Sequence, residues 1–367
     1  MTRILYVLSN EPTGGVGTVI RNYVTHFDSR VTIDYLIYTA QRNTPFQKEV
    51  KKNGEIYYLP ELSLSSMPSL EKQTKRFFRE HGREYSAVHL HFAGIAPMVM
   101  KPAMEAGIPC RIMHSHNTKL SDNALKSSLF LQNARHGMKY CTHFFACGKE
   151  AGRFLYGNRN DIFYMHNAID PSVYAFQPAV REQYRKDHDL SDKHVYFSVG
   201  RLEKQKNLFF ALDILQAIAE KDPDAVYLIA GVGPLKEELE KKVQELHLND
   251  KVFFLGFTDQ VPYILQAADL LLFPSLYEGL PLTLVEAQCA GLPALVSDKV
   301  TDEVLFTELC HVHGLAESPQ AWAEAAMKIV SEQKRFSHEP QITLAGYNIT
   351  MEAKRIEDFY LSLGEAE

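Results

Sequence analysis

Residues 275–291 read Ser-Leu-Tyr-Glu-Gly-Leu-Pro-Leu-Thr-Leu-Val-Glu-Ala-Gln-Cys-Ala-Gly, and they combine a helix start, a helix end and two carboxylates. The apolar run before them, residues 270–274, predicts a short strand covered on both faces. Gly279-Leu-Pro281 predicts the start of a helix with proline in its first turn, and Gly291 predicts its end. A buried strand that leads through a loop into a helix indicates an α/β fold.

Two acidic side chains flank the start of this helix. Glu278 lies in the preceding loop, and Glu286 lies inside the helix, about 1.5 turns beyond Pro281. The free N–H groups of a helix N-terminus favour anions such as phosphate, while carboxylates accept hydrogen bonds from hydroxyl groups. The pattern favours a ligand that is both phosphorylated and rich in hydroxyls. Acids that only complement the helix dipole are the alternative.

The whole stretch resembles the donor-site signature of a glycosyltransferase family. Glu278 and Glu286 are spaced Glu-x7-Glu within Glu-Gly-Leu-Pro-Leu-Thr-Leu-Val-Glu-Ala, and Cys-Ala-Gly-Leu-Pro closes the segment. This is similar to the retaining, two-domain (GT-B) glycosyltransferases of family 4. The resemblance implies that Glu286 binds the ribose hydroxyls of the donor and that Glu278 binds the transferred sugar. It also implies donor contacts from residues between them, namely Gly279, Leu280, Leu282 and Thr283.

Composition is that of a soluble globular protein. The 367 residues are long enough for two domains, and 46% hydrophobic with 23% charged residues excludes a disordered or fibrous chain. The sequence begins directly with a strand-like run, and no apolar stretch reaches the ~18 residues of a membrane span, so we expect a cytoplasmic protein without a signal peptide. Five cysteines without a Cys-x-x-Cys pattern predict reduced packing residues.

Strand-like and helix-like runs alternate along the chain, which predicts the α/β class with parallel sheets. A polar stretch at 167–193 predicts a linker between two halves. The expected strands are 3–9, 32–38, 55–59, 87–91, 111–116, 142–147 and 162–165 in the first half, and 195–199, 226–230, 252–256, 270–274 and 293–297 in the second.

The resemblance extends this to two Rossmann-like domains with parallel sheets that face a central cleft. We expect an acceptor-side domain at residues 1–170 and a domain that binds the nucleotide-sugar donor at 190–340. The amphipathic segment 351–363 predicts a final helix. Its position in the sequence assigns it to the second domain, whereas the resemblance implies that residues 345–367 cross back onto the first, and we adopt the crossover.

A glycine-rich loop, residues 10–17, follows the first strand, and such a loop lets backbone N–H groups approach an anion closely. The pattern Gly15-x-Gly17-x-x-Ile20 lacks the third glycine of a dinucleotide fingerprint, and four non-glycine residues precede Gly14. Nicotinamide binding is therefore disfavoured. The resemblance implies that Gly14, Gly15 and Gly17 face the donor phosphates or the acceptor.

A basic segment, Gly200-Arg-Leu-Glu-Lys-Gln-Lys-Asn207, follows the strand 195–199. Gly200, Arg201 and Lys206 therefore lie at a carboxyl strand end, where ligands of open parallel sheets collect. A guanidinium fork and a compact ammonium together can neutralise a leaving diphosphate. From the residues alone, an ordinary basic surface loop remains an alternative. The segment resembles the family's Gly-Arg-Leu…Lys-Asn motif, and this resemblance implies that Arg201 and Lys206 are the catalytic diphosphate ligands.

Two further loops follow predicted strands. Gly231 and Gly233 lie in Gly-Val-Gly-Pro after one strand, and Phe257 and Thr258 follow the next. The resemblance implies that these residues also contact the donor, with the backbone around Phe257 and Thr258 holding the nucleobase. Ordinary helix caps are the alternative for both loops.

Four histidines of the first half form His-x-His pairs, His89 with His91 and His114 with His116. Alternation along a strand places both members of a pair on one face, but no cysteine pair or acidic ligand set accompanies them, so zinc is disfavoured. The resemblance implies that His116 contacts the donor sugar near the reacting carbon, with His114 as the other choice. This would make His116 a catalytic residue.

Asp187-His-Asp189 spells the Asp-x-Asp of metal-dependent transferases, but it falls in the predicted linker, away from any strand end. The fixed cations already described suffice for a leaving diphosphate. We therefore expect metal-independent transfer without a cofactor, from a nucleoside-diphosphate sugar, with a UDP-sugar as the favoured donor.

Residues and resemblance together predict a hexosyltransferase that moves a sugar to an acceptor hydroxyl with retention of configuration. Residues 296–303 are similar to bacterial capsular and exopolysaccharide transferases, which implies a role in polysaccharide biosynthesis. A nucleotide-sugar epimerase on the same architecture and a non-catalytic sugar-nucleotide-binding protein are the alternatives. Turnover of donor without acceptor would distinguish the epimerase.

The net charge of −6 argues against nucleic-acid binding, but residues 101–160 hold nine basic and three acidic residues. A solvated surface explains this, and so does a lipid-linked saccharide acceptor at an anionic membrane. The hypothesis that follows is peripheral, salt-sensitive association with the inner face of the cell membrane. Further basic residues of the same half are Lys72, Lys75, Arg76, Arg79 and Arg83.

Overall fold

The computed structural model describes residues 2–11, 15–40, 54–63, 65–116 and 124–364. The chain forms two units, one comprising Met1–Ile169 with Asn348–Glu367 and the other Asp170–Tyr347. Each unit is built on one parallel sheet with helices in the connections. The α/β class with two parallel-sheet domains, predicted from the sequence, is therefore confirmed.

The first unit contains a seven-stranded sheet in the order β3-β2-β1-β4-β5-β6-β7. Its strands are β1 (Thr2–Leu8), β2 (Val31–Tyr38), β3 (Ile56–Leu59), β4 (Ala87–Leu90), β5 (Cys110–Ser115), β6 (His143–Ala146) and β7 (Ile162–Tyr164). Successive residues of β1 and β2 are buried on both sides of the sheet. Cover on both faces explains why these strands appear as continuous apolar runs in the sequence.

Helices of the first unit come from both ends of the chain. They are α1 (Gly15–His26), α2 (Met67–His81), α3 (Ala96–Glu105), α4 (Ala124–Met138), α5 (Lys149–Tyr156) and the C-terminal α14 (Ile349–Ser362). Helix α14 packs against α1, β1 and β2, with Ile356 and Tyr360 fully buried. Asn348 caps α14 by accepting a hydrogen bond from the N–H of Thr350, so the helix begins at a defined residue.

The second unit contains a six-stranded parallel sheet in the order β10-β9-β8-β11-β12-β13. Its strands are β8 (His194–Val199), β9 (Ala225–Ala230), β10 (Val252–Gly256), β11 (Leu270–Phe273), β12 (Ala294–Ser297) and β13 (Cys310–His313). The edge strand β13 is missing from the predicted strands. It has only four residues, none of them buried, so it lacks the apolar run by which the other strands were recognised.

Eight helices of the described residues belong to the second unit. They are α6 (Pro171–Tyr174), α7 (Pro178–Asp187), α8 (Leu208–Ala219), α9 (Lys236–Glu245), α10 (Val261–Ala267), α11 (Leu282–Cys289), α12 (Pro319–Glu332) and α13 (Glu339–Leu344). Trp322 of α12 is fully buried in the core beside α8. This core fixes the strands whose carboxyl ends carry the predicted donor-binding residues.

The prediction of a linker at residues 167–193 is wrong for most of that stretch, because the stretch includes α6 and α7 of the second unit. Helix α7 buries none of its residues and is held by ion pairs. Arg181 Nη2 lies 2.5 Å from Asp269 Oδ1, and Arg185 Nη1 lies 3.1 Å from Asp269 Oδ2. A helix attached through charges has no apolar periodicity, so its sequence resembles that of a linker.

Both sheets reverse their strand order once, between β1 and β4 in the first unit and between β8 and β11 in the second. Loops at the carboxyl ends diverge at such a point and leave a crevice, where ligands of open α/β sheets bind. The predicted site residues of the second unit follow β8, β9, β10 and β11. The sheet topology therefore places their loops at one edge of the sheet.

All five cysteines are free, and each is buried or half-buried, as expected for packing residues. Across the part of the chain that the structure describes, we find no helix with the length and apolar character needed to span a bilayer.

Candidate active site

Lys206 and Glu278 form an ion pair at the reversal point of the second sheet. Lys206 Nζ lies 2.7 Å from Glu278 Oε1, and both side chains are largely buried, at 18% and 8% exposed. Gln205 Nε2 donates to Glu278 Oε2 at 3.1 Å, and the ammonium lies 4.8 Å from the centre of the Phe273 ring. An ammonium has three donors, so Lys206 keeps donors for a ligand while it is paired with Glu278.

The local backbone explains how Lys206 is held in place. Residues Lys204–Lys206 form a short 3-10 turn, and the N–H of Leu276 donates to the carbonyl of Gln205 at 2.8 Å, which joins the loops after β8 and β11. Gly200 has a φ of +146°, and a Cβ there would lie 2.7 Å from Lys206 Cε. A side chain at position 200 would therefore displace Lys206.

Arg201 is placed differently from Lys206. Its side chain is 73% exposed, and Nη2 lies 2.7 Å from Glu203 Oε1. No hydrogen bond among the described residues joins Arg201 to Lys206 or Glu278. The structure thus brings together two of the predicted catalytic residues of the second unit and leaves the third at the surface.

Glu286 lies on α11 and is buried, with 8% of its surface exposed. Its Oε1 accepts a hydrogen bond from the Tyr174 hydroxyl at 3.0 Å. Burial raises the pKa of Glu286 to about 7, and the bond from Tyr174 opposes that rise. Sequence reasoning missed Tyr174 because it lies in the stretch predicted as a linker, where no motif marks it.

Helix α11 begins one residue later than the sequence predicted, because Pro281 is its N-cap and has an extended backbone with ψ of +110°. The first helical N–H groups, those of Leu282 and Thr283, have no acceptor within the helix. Both residues are half-buried, as is Gly279, whereas Leu280 is buried. The loop before α11 therefore places free backbone donors close in sequence to Glu278.

The loops after β8 and β9 touch each other through their backbones. Gly231 has a φ of +138°, and a Cβ at this position would lie 1.9 Å from the carbonyl oxygen of Gly200. Gly233 lies in the same loop, close to the backbone of Leu202. Packing alone thus accounts for these glycines, and their contact with a donor stays a prediction.

The loop after β10 carries the two residues predicted at the nucleobase. Phe257 is 87% exposed, which is unusual for a phenylalanine. The Thr258 hydroxyl accepts a hydrogen bond from the N–H of Gln260 at 3.0 Å. The exposed ring leaves an aromatic surface at the carboxyl edge of the sheet, and the turn closed by Thr258 holds the backbone beside it.

The glycine loop of the first unit follows β1. Gly15 is exposed at the first residue of α1, and Gly17 is buried within the first turn. Gly14 lies outside the described residues. Both described glycines lie at the carboxyl edge of the first sheet, next to the reversal point between β1 and β4.

His116 directly follows β5 in the first unit and is half-buried, whereas His114 is only 1% exposed. The two rings stack with centres 3.9 Å apart, and His116 Nε2 lies 2.9 Å from His91 Nδ1. Burial lowers the pKa of His116 to about 4, so its ring is neutral at physiological pH. Of the two predicted choices, only His116 has appreciable surface for contact with a ligand.

A nitrogen atom from each of His89, His91 and His114 lies within 4.8 Å of the others, which raises the question of a metal site. The rings of His89 and His91 are stacked, with centres 4.3 Å apart and planes inclined by 13°. Lone pairs in nearly parallel planes do not converge on one ion at the ~2.0–2.1 Å of a zinc–nitrogen bond. The stacked arrangement therefore does not fit zinc.

Asp187 and Asp189, the other candidate metal ligands, are exposed at the C-terminal end of α7. Asp187 Oδ1 accepts a hydrogen bond from Gln183 Nε2 at 2.7 Å. Neither residue follows a strand of the sheet. Metal-independence of the reaction stays a prediction.

Comparison with known proteins gives the following matches. Residues 180–340 match the model of the family described as Glycosyl transferases group 1. The chain is 32% identical over 338 residues to the putative glycosyltransferase EpsF of Bacillus subtilis (strain 168), a match that covers 88% of this chain and 86% of that protein. It is 27% identical over 321 residues to the UDP-Gal:alpha-D-GlcNAc-diphosphoundecaprenol alpha-1,3-galactosyltransferase of Escherichia coli, with coverage of 82% and 80%.

Among solved structures, Anabaena HepE in complex with UDP is similar, with a TM-score of 0.78. The match covers 99% of this chain and 100% of HepE at 16% sequence identity. At that identity the likeness shows the fold alone.

Proposed function

Because this chain belongs to the group 1 glycosyltransferases, we propose that it transfers a sugar from a UDP-sugar to a hydroxyl of a lipid-linked saccharide, with retention of configuration. The product would enter an exopolysaccharide, capsule or O-antigen. The observation that carries the proposal is the buried Lys206–Glu278 pair at the reversal point of the second sheet. The epimerase and the non-catalytic binding protein find no support in the comparisons.

The donor diphosphate is held by fixed positive charge. Lys206 donates to a phosphate oxygen with the N–H groups that Glu278 does not use, and Arg201 reaches the diphosphate from its exposed position. The first N–H groups of α11 add partial positive charge. Negative charge grows on the diphosphate as the sugar leaves, so donors that are already in place stabilise the transition state more than the ground state.

The hydroxyl groups of the donor form hydrogen bonds with two carboxylates. Glu286 accepts hydrogen bonds from the ribose hydroxyls, and Tyr174 holds its carboxylate in place. Glu278 accepts from a hydroxyl of the transferred sugar while Lys206 and Gln205 fix its two oxygens. These roles follow the family 4 pattern, with no enzyme nucleophile assigned.

One relative and one protein of the same fold support a uridine donor, and the relative also supports a lipid-linked acceptor. HepE was solved with UDP, and the galactosyltransferase of Escherichia coli is named for UDP-Gal and a diphosphoundecaprenol-linked acceptor. In this chain the exposed ring of Phe257 and the backbone at Thr258 provide the surface for the base. We extend both assignments to this chain as part of the proposal.

Basic residues of the first unit support membrane contact at one place. Lys75, Arg79 and Arg83 line a groove of about 400 Å³ between α2 and α3. Within the groove Lys75 pairs with Glu71 at 2.9 Å and Glu105 adds an acid, so Arg79 and Arg83 are its basic residues without an ion pair among the described residues. Outside the groove, Arg76 pairs with Glu80 at 2.7 Å and the Arg111 guanidinium donates to backbone carbonyls. The groove is therefore the part of the basic surface to which we assign the lipid phosphates.

The proposal is tested by measuring nucleoside diphosphate release from UDP-, GDP-, ADP- and dTDP-sugars. Each donor is offered with a diphosphoundecaprenol-linked saccharide, with the same saccharide lacking the lipid, and with no acceptor. We expect turnover with a UDP-sugar and the lipid-linked acceptor, in excess chelator as well as without it, and an NMR spectrum of the product that shows the donor's anomeric configuration.

Three outcomes would contradict the proposal. Conversion of donor without acceptor would favour an epimerase. Tight donor binding without turnover on any acceptor would favour a binding protein. Loss of activity in chelator that Mg²⁺ or Mn²⁺ restores would contradict the metal-independent part alone.

A further inference from the structure

Gln266 is a buried glutamine that binds the segment between α6 and α7, and it has no role in the donor site described above. It lies in the last turn of α10 and is 3% exposed. Its Nε2 donates to the carbonyl of Tyr174 at 2.9 Å and to that of Ala175 at 3.2 Å. Its Oε1 accepts from the N–H of Gln177 at 2.9 Å. One side chain therefore joins three residues of this segment to α10.

These bonds fix the orientation of the Gln266 amide. A carbonyl can only accept and a backbone N–H can only donate, so an exchange of the amide nitrogen and oxygen would break all three bonds. A buried amide whose groups are all paired makes its surroundings rigid. Its removal leaves backbone groups without their partners, which is costly inside a protein.

Helix α6 needs such support, because Pro171–Tyr174 forms only one turn. One turn gains too few hydrogen bonds to offset the chain entropy that it loses, so a helix of this length is not stable alone. Asp170 caps its start by accepting from the N–H of Ser172. At its end the last carbonyls have no acceptor role within the helix, and Gln266 supplies the donor for the carbonyl of Tyr174.

Tyr174 connects this support to Glu286. Its carbonyl is bound by Gln266, and its hydroxyl donates to Glu286 Oε1 at 3.0 Å. Helix α6 contacts both α10 and α11. A shift of Tyr174 by about 1 Å away from α11 would take the hydroxyl beyond hydrogen-bond distance from the carboxylate. The bond to Glu286 therefore depends on where Gln266 holds the end of α6.

The ionisation of Glu286 responds to this bond. Burial raises the pKa of Glu286 to about 7, and the hydrogen bond from Tyr174 opposes that rise. The other titratable groups of the elements packed around Glu286 are Asp170 at the start of α6, Cys289 on α11, Glu339 on α13 and, at an exposed position of α10, Tyr263. None of these brings a positive charge to the carboxylate.

We propose that Gln266 is a positioning residue, which holds Tyr174 so that its hydroxyl donates to Glu286 and keeps this carboxylate charged for the ribose of the donor. This rests on the proposed contact between Glu286 and the ribose. Gln266 acts through Tyr174 and touches no substrate. Helix α10 begins directly after the loop of Phe257 and Thr258, so one helix joins the proposed base surface to the support of the ribose site.

The ionisation of Glu286 is measured without donor by 13C NMR of the full chain, labelled at the glutamate carboxyl carbons and titrated between pH 5.5 and 9. Glu286→Gln identifies the signal. We expect a native midpoint near pH 7. Gln266→Met keeps the length of the side chain without the amide and should raise the midpoint by about 1 pH unit, no more than Tyr174→Phe does.

The double variant shows whether Gln266 acts through Tyr174. Gln266→Met combined with Tyr174→Phe should titrate like Tyr174→Phe alone, because both changes remove the same bond. Additive shifts would overturn the proposal, as would an unchanged or lowered midpoint in Gln266→Met. Gln266→Asn draws the amide back by one methylene and should give a smaller rise. It decides the question in the same way if Gln266→Met does not fold.

Gln288 of α11 is the matched control, since it is fully buried and makes the same kinds of bond without contact to Tyr174. Its Nε2 donates to two carbonyls and its Oε1 accepts from two backbone N–H groups, those of Leu284, Val304, Phe306 and Thr307. Gln288→Met should lower Tm at least as much as Gln266→Met and leave the Glu286 midpoint native. A raised midpoint in this variant too would indicate a general loss of packing and overturn the role of Gln266.

Binding of UDP, which contains the ribose, supplies the functional arm. A midpoint that moves from pH 7 to pH 8 lowers the ionised fraction of Glu286 at pH 7 from about a half to about a tenth. Calorimetry should therefore show about 5-fold weaker UDP binding by Gln266→Met at pH 7 and less than a 2-fold difference at pH 8.5. An equal loss at both pH values would contradict a role through the charge of Glu286.

The two arms separate this inference from the proposed function. If the midpoints move as expected but UDP binding at pH 7 stays native in Gln266→Met and Tyr174→Phe, the contact of Glu286 with the ribose fails, and the role of Gln266 in donor binding falls with it. If native UDP binding follows the ionisation of Glu286 but Gln266→Met leaves the midpoint unchanged, the ribose contact stands and the inference about Gln266 is wrong.

Discussion

The hydroxyl of Tyr174 lies 3.0 Å from Oε1 of Glu286, and this bond joins α6, the first helix of the second unit, to α11, which begins at the proposed donor site. Glu286 is buried, and the other titratable groups that act on this region, Asp170, Cys289 and Glu339, are all acids. The Tyr174 hydroxyl is therefore the group that stabilises the charged form of Glu286 against burial.

Donor affinity should depend on pH through Glu286. In the proposed function the carboxylate accepts hydrogen bonds from the ribose hydroxyls, and protonation removes the charge that strengthens these bonds and turns one of the two oxygens into a donor. Because the pKa of Glu286 is raised to about 7, affinity should be full well above pH 7 and should fall as the pH drops through that value. Calorimetric titration with a UDP-sugar between pH 5.5 and 8.5 measures this, since the diphosphate ester stays fully ionised over the range. A flat profile would contradict the ribose assignment of Glu286.

Tyr174→Phe should shift this profile to higher pH, because it removes a hydrogen bond that favours the carboxylate. Bonds to charged groups contribute ~1.5–3 kcal/mol, which corresponds to about 1–2 pH units. The variant should bind weakly at pH 7 and regain only part of its affinity by pH 8.5. Tyr184→Phe on the neighbouring helix α7 serves as the control and should keep the native profile. A uniform loss of affinity at every pH would instead mark Tyr174 as a packing residue.

Tyr174 also shows what the sequence could reveal and what it could not. Residues that follow buried strands were identified correctly as lying at one edge of a sheet, because strands covered on both faces leave apolar runs in the sequence. Helices α6 and α7 leave no such pattern, since α7 buries none of its residues and is attached through Arg181 and Arg185. A partner that a polar segment supplies to a distant motif is visible only in three dimensions.

The ion pair of Lys206 with Glu278 is likewise visible only in three dimensions. The motifs identify each residue separately, but the 2.7 Å contact between them depends on the reversal of strand order between β8 and β11. Likewise the sequence shows His89, His91, His114 and His116 as two His-x-His patterns, while their hydrogen bonds across the strands depend on the register of β4 against β5. Register and strand order arise from packing across the whole unit, so neither can be read from a local pattern.

Lys206→Ala should lower turnover on the order of 10²-fold or more, because preorganised charge at a leaving group has that effect. We expect a loss of the same order for Arg201→Ala, although Arg201 is exposed and paired with Glu203. Lys204→Ala is the matched control, as it removes an exposed lysine from the same turn. Steady-state kinetics with thermal melting of each variant decides this. Native turnover in Arg201→Ala would assign the diphosphate to Lys206 and the start of α11.

Gly231→Ala should destabilise the second unit through two effects. Its φ of +138° strains any side chain by ~1–3 kcal/mol, and the new Cβ would lie 1.9 Å from the Gly200 carbonyl, which adds ~1–3 kcal/mol of overpacking. Gly256→Ala isolates the first effect, because Gly256 has a φ of +66° with open space around the Cβ position, and should cost ~1–2 kcal/mol. Calorimetric melting should therefore show a larger fall in Tm for Gly231→Ala. Equal shifts would mean that the loops after β8 and β9 separate easily.

Binding to anionic membranes should depend on the groove between α2 and α3. Arg79 and Arg83 are exposed and line this groove. Each basic residue near an anionic surface contributes about 1 kcal/mol to binding. Replacement of both by Ala should therefore weaken vesicle binding roughly 30-fold at low salt. Lys236→Ala with Lys241→Ala removes the same charge from exposed positions of α9 in the second unit and should have little effect. Co-sedimentation with anionic and neutral vesicles, at low and high salt, measures both variants. Equal loss in the two double variants would indicate a response to net charge alone. Electrostatic attraction must disappear when the anionic lipid is left out, and salt must screen it over a Debye length of ~8 Å at physiological concentration. Equal binding of the native chain to neutral and anionic vesicles would therefore exclude electrostatic attachment.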